Sequence, residues 1–114
     1  MNPSKQKGTA YETAVAEWFS DRGFPTHRRA STGANDQGDL RIAGMAATVE
    51  CKNHKAINLA GWVDELVVER RNAAAKIGVL AIKRRGRNAG GSYFVVDAET
   101  LIVLLDCYDR ANRR

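Results

Sequence analysis

The chain has 114 residues, a formal net charge of +5 and a pI near 9.6, which allows one modest core rather than two and favours a polyanionic partner. No apolar run reaches the ~18 residues of a membrane span and no signal peptide precedes the first helix, so a soluble, cytoplasmic domain is expected. Cys51 and Cys107 are too far apart for a metal knuckle and read as reduced packing residues, one of them facing the core.

A polar stretch carrying Lys5 and Lys7 comes first, with residues 1–6 expected to form a flexible tail. Tyr11, Ala14, Val15, Trp18 and Phe19 then recur at helical spacing until Arg22-Gly23, an amphipathic first helix. Thr9 and Glu12 make Thr-x-x-Glu, the pattern of a capping box at its start. Phe24 to Ala30 reads as a short strand ending in Arg28 and Arg29. A loop of small and polar residues from Ser31 to Gly38 follows and is a candidate phosphate contact.

Asp39 to Lys52 reads as a β-hairpin. Leu40, Ile42, Ala47, Val49 and Cys51 share one parity, which predicts the core face. Asp39, Arg41, Thr48, Glu50 and Lys52 share the other, which predicts a face for chemistry. Gly44-Met45 suits a type II′ turn, and counting outward from it pairs Leu40 with Val49 and Asp39 with Glu50. Directly opposed carboxylates, with Cβ atoms about 5 Å apart, repel one another unless a cation lies between them. Mg²⁺ prefers hard oxygen ligands and uses one or two carboxylates, leaving positions for water and phosphate. Lys52 lies one step along the same face.

His27 and His54 have no partner at ligand spacing and read as surface or strand histidines, although His54 and Lys55 lie close enough to the hairpin to touch a bound polyanion. Asn58 can cap a second helix with the stripe Leu59, Trp62, Val63, Leu66 and Val67. Its other face, with Asp64, Glu65, Glu69, Arg70 and Arg71, is expected to be solvated, with Arg70 and Arg71 also able to reach a substrate backbone. Ile77 to Ile82 is almost wholly apolar and predicts a strand buried on both faces, at the centre of the sheet. Lys83, Arg84, Arg85 and Arg87 follow in a glycine-rich loop. Four cations so close together predict a phosphate contact. Tyr93 to Val96 makes the last strand. Asp97 caps a third helix through Leu101, Leu104, Leu105 and Tyr108, widened by Ile102 and Val103, so that it is either deeply buried or shared with a second subunit. Residues 110–114 are a basic tail.

An Asp ending a short loop, then a hairpin, then Glu-x-Lys resembles the signature of the PD-(D/E)XK nuclease superfamily, here as Asp39, Glu50 and Lys52. Gly38 stands where that family usually has proline. Lys7-Gly8-Thr9 with Glu12, then Gly23-Phe24, an arginine-bearing strand and Ser31-x-Gly33, is similar to the archaeal Holliday-junction-cleaving enzymes of that superfamily, over residues 7 to about 85. The resemblance implies a restriction-endonuclease-like α/β domain with a central mixed sheet flanked by helices. It also implies Mg²⁺, replaceable by Mn²⁺, on Asp39 and Glu50, with Glu12 and the Cys51 carbonyl as further ligands and Ser31 assisting. Glu12 therefore has two readings, ligand and helix cap, and Ser31 two, catalytic residue and turn serine.

The expected activity is cleavage of branched DNA by a homodimer, with Lys5, Lys7, Arg28, Arg29, His54, Lys55, Arg70, Arg71, Lys83, Arg84, Arg85 and Arg87 as DNA contacts. The alternatives are a flap, nick or single-strand endonuclease of the same superfamily and a non-catalytic nucleic-acid-binding module. Retention of Asp39, Glu50 and Lys52 together argues against the last.

Overall fold

The computed structural model describes residues 3–30 and 35–113, with side chains from Gln6 onward. In chain order these form α1 (Pro3–Ser20), β1 (Thr26–Arg28), β2 (Leu40–Ile42), β3 (Ala47–Lys52), α2 (Leu59–Asn72), β4 (Ile77–Ile82), a 3-10 turn at Ala89–Gly91, β5 (Tyr93–Val96) and α3 (Ala98–Ala111). The strands make one mixed sheet in the order β1-β2-β3-β4-β5. Its single parallel pair is β3 with β4, and a parallel pair needs a crossover, which α2 supplies. This is the single α/β domain expected from the order of elements. The middle strand, however, is β3 and not β4, because β1 and β2 extend the sheet on the hairpin side.

The hairpin has the register read from its turn: Leu40 lies opposite Val49 and Arg41 opposite Thr48. Gly44 has φ +80°, a value that L side chains resist. A one-residue slip would turn Leu40 and Val49 out of the core, where both are fully buried.

Each sheet face is covered. Leu40, Ile42, Ala47, Val49 and Ala81 pack under Tyr11, Val15 and Ala16 of α1, with Cys51 against them. Trp18 and Phe94 stack at 5.4 Å beside this cluster. On the opposite face, Leu80 and Ile82 pack under Trp62 and Leu66 of α2. The parity expected to be the face for chemistry is itself covered by α2 at Thr48 and Glu50, which are buried.

Further expectations are corrected. The first helix begins at Pro3, within the stretch expected to be a tail. Proline suits that position, since the first helical N–H groups have no intrahelical acceptor. Thr9 is thus internal to α1 and accepts at its carbonyl from the Thr13 hydroxyl, 3.0 Å, so Thr9 and Glu12 are not a capping box. At α3, Asp97 holds the N-cap position, but its side chain makes no capping bond; it takes Arg70 and the Thr100 hydroxyl instead. From Leu101 onward α3 is exposed except for the half-buried Val103, so the deeply buried reading of this helix fails within one chain. Cys107 lies on that exposed surface and is not a packing residue. No helix among the described residues is long and apolar enough to cross a membrane.

Candidate functional site

Glu50 stands on the middle strand with a side chain only 5% exposed. Its Oε2 lies 3.2 Å from Lys52 Nζ, and its Oε1 is buried without a hydrogen-bond partner. Asp39, one residue before β2, anchors to the neighbouring strand: its Oδ2 accepts from the Cys51 N–H at 2.8 Å. The two carboxyls are within hydrogen-bonding reach of each other. Such a contact needs a proton or a cation between them. Burial pushes both up from the usual carboxylate range. Glu50 is raised furthest, by burial, then by the Glu65 and Asp39 carboxyls facing it.

The ladder ends at Leu40 opposite Val49, and the Asp39 N–H bonds the Val49 carbonyl at 3.0 Å, so Asp39 reaches Glu50 from just outside β2 and not as the ladder partner expected from the sequence. Lys52 is the third member of the expected group and has an unexpected partner. Its ammonium binds both oxygens of Glu65 on α2, at 3.1 and 3.2 Å. Burial alone would favour neutral lysine, but Glu65 and Glu50 outweigh it and raise its pKa. Glu12 approaches Asp39 from the α1 side. Burial raises it first and Asp39 second, while Arg28, 3.5 Å away, opposes the rise. With the capping box gone, Glu12 is left in an ion pair with Arg28 and feels the charge of Asp39.

Gly38 explains the departure from proline before the aspartate. Its φ is +95°, which proline cannot adopt, and a Cβ there would collide with the Thr48 hydroxyl. That hydroxyl instead bonds the Gln37 carbonyl, and Asn72 Nδ2 donates to the Asp36 carbonyl at 2.8 Å. The loop is thereby laid across the end of α2, and Asp36 joins Glu65 and Glu69, with one oxygen of each within 4.8 Å of the others. Asp36 and Glu69 were not expected at the site. The helix carried a signal: Glu65 and Glu69 are like charges at i,i+4, an unfavourable pair on a plain solvated face. Glu69 is 1% exposed, so that face is partly interior.

Arg70 is also buried. It pairs with Asp97 at 3.3 Å and Glu99 at 2.9 Å and donates to the Ala75 carbonyl, which removes it from the DNA contacts. Arg71 is exposed beside Glu99. The other expected cations cluster by segment. Lys7 of α1, His54 and Lys55 after β3, and Lys83, Arg84 and Arg85 after β4 line one cavity of about 400 Å³ with Tyr93. Arg84 sits 4.8 Å from the centre of the exposed Tyr93 ring. Arg87 stays outside that lining, and its carbonyl accepts from Lys83 Nζ at 2.9 Å. Arg28, at the end of β1, is exposed, whereas Arg29, just after the strand, turns back to Gln37. Ser31 and the Lys5 side chain lie outside the described residues.

Five carboxylates, of Asp36, Asp39, Glu50, Glu65 and Glu69, thus lie in one region, where Lys52 pairs with two of them, Glu50 and Glu65. Oxygen donors of this density suit Mg²⁺, Mn²⁺ or Ca²⁺. The orphaned, buried Oε1 of Glu50 is the observation that fits a cation to the Asp39 and Glu50 pair. No protein family, curated protein or solved structure matches this chain.

Proposed function

We propose that this domain is a magnesium-dependent endodeoxyribonuclease of restriction-endonuclease-like fold that cuts phosphodiesters in branched DNA, four-way junctions foremost. The carrying observation is the buried Glu50 beside the half-buried Asp39, with the Glu50 Oε1 unpartnered and its Oε2 on Lys52. A pure binding module has little use for two such carboxylates in a chain that also carries a basic cavity.

Asp39 and Glu50 would hold Mg²⁺ or Mn²⁺, with Glu12 alongside and the Cys51 carbonyl as a family-suggested ligand. The cation would supply a Lewis acid that activates water and neutralises charge on the attacked phosphate. Lys52 keeps its proton at neutral pH, so it acts as a positive charge on the phosphate or as a donor that orients water, not as a base. Glu65 fixes that ammonium from α2. The cavity lined by Lys7, Lys55, Arg84 and Arg85 would hold the backbone of the DNA.

One observation favours a second reading, a flap or single-strand endonuclease with the same chemistry. Tyr93 is 54% exposed at the rim of the basic cavity, and an exposed aromatic ring among cations is a platform for an unpaired base. A panel of labelled junction, flap, nicked and linear DNAs in magnesium separates the two. Asp39→Asn tests the site itself: junction affinity in EDTA should hold or rise, while cleavage collapses. Cleavage at the parental rate by this variant overturns the assignment.

A further inference from the structure

The fold pairs one buried charge on α2 with carboxylates and leaves its neighbour without a counter-charge. Arg70 receives Asp97, Glu99 and a backbone carbonyl. Glu69, the preceding residue and 1% exposed, has no hydrogen-bond partner at either oxygen among the described residues. The groups facing it are carboxyls, those of Asp36, Glu50 and Glu65. None of these can donate to it without first taking up a proton. Buried carboxylates are ordinarily paired, hydrogen-bonded or bound to a metal.

We propose that Asp36, Glu65 and Glu69, backed by Glu50, form a second divalent-cation site on the α2 side of the sheet, distinct from the Asp39 site. The spacing of the oxygens supports this. Ligands directly across an ion with bonds of about 2.1 Å lie about 4.2 Å apart, and with bonds of about 2.4 Å about 4.8 Å apart. The three candidate oxygens all lie within 4.8 Å of one another, no farther apart than the span across the larger ions of this class. Glu65 can serve Lys52 and a cation together, because a carboxylate has about four acceptor positions. Asp36 is held over the site from both sides, its carbonyl by Asn72 and the next carbonyl by Thr48. Glu50 would then contribute to two cations, one through Asp39 and one through Glu69.

The proposal builds on reading Asp39 and Glu50 as cation ligands but does not require DNA cleavage, so the test uses Mn²⁺ alone. Titration followed by electron paramagnetic resonance and calorimetry should give two Mn²⁺ per parental chain. Glu69→Gln and Asp36→Asn should each bind one, and Asp39→Asn should lose the other. Thermal melts in EDTA accompany each titration, and Glu69→Gln should melt no lower than the parent, which rules out unfolding as the cause of lost binding. Asp36 is exposed, so its variant stays informative even if Glu69→Gln fails to fold. One Mn²⁺ per parental chain, or two in both Glu69→Gln and Asp36→Asn, overturns the second site. Two Mn²⁺ without cleavage of any DNA would leave this site standing and reject the nuclease; cleavage by a chain that binds one would do the reverse.

Discussion

Replacing Lys7, Lys55 and Arg85 together by alanine probes the basic cavity without touching the carboxylates. The three come from α1, from the segment after β3 and from the segment after β4, and all are exposed where they line the cavity. Exposed substitutions of this kind change stability by no more than about 0.5 kcal/mol each, so the fold should survive. A side chain that contacts one phosphate contributes about 0.9 to the slope of log affinity against log salt, and three contribute about 2.7. Between about 50 and about 200 mM salt, the parent should therefore lose roughly 40-fold more affinity than the variant. Anisotropy of a fluorescein-labelled four-way junction, in EDTA and at four salt concentrations, reads both slopes. Parallel lines for parent and variant would refute the cavity as the DNA site. A flatter line with unchanged cleavage at saturating protein would place these residues in binding alone.

The remaining expectations address stability and assembly. In EDTA the domain should weaken as pH rises. Burial pushes Glu69 from its ordinary 4.5 up to about 8, so the folded chain keeps a proton that the unfolded chain releases. That contribution is complete below about 4.5 and is lost as pH rises through about 8, by up to about 1.4 kcal/mol per pH unit. Melts at about pH 5 and about pH 8 check the sign, and an equal or higher Tm at the upper pH refutes it. The exposed face of α3, with Leu101, Leu105 and Tyr108, should bury against a second copy to give a homodimer with two identical sites. Leu105→Glu should sediment as a monomer, and a parental monomer at micromolar concentration with junction DNA present rejects the idea. Ala74 ends α2 with φ +52°, so Ala74→Gly should stabilise the domain by about 1 kcal/mol in urea unfolding. A lower urea midpoint would show that the left-handed turn is not strained.

Local patterns carried the elements well, because each rested on its own chemistry. Alternation around Gly44 set the hairpin register, Asn58 capped α2 through the Gly61 N–H, and the apolar run became β4. The site was legible where it depended on that register, at Asp39, Glu50 and Lys52. It was hidden where it depended on tertiary partners. Glu69 and Arg70 look like a solvated face until Asp36, Asp97 and Glu99 arrive from distant parts of the chain. The start of α1 was missed for a different reason: Thr-x-x-Glu occurs inside a helix as readily as at its beginning, and only Pro3 marked the true first turn. The depth of the carboxylates was not legible, because alternation separates a core face from a face for chemistry but cannot say whether a second helix will cover the polar parity.

The acidic cluster also bears on how long a folded molecule lasts. Asp36, Glu50, Glu65 and Glu69 come from a loop, a strand and a helix that meet only when α2 has docked across β3 and β4. Contacts between segments so far apart in the chain close later than the hairpin, after most loop entropy has been lost. Their repulsion therefore acts chiefly on the finished fold. Above about pH 8, where a cation-free Glu69 gives up its proton, Glu69→Gln should slow unfolding while leaving the folding rate nearly unchanged. In a cation-free chain the carboxylates that equip the site shorten the native lifetime, so the supply of divalent ions would govern resistance to proteolysis as well as chemistry.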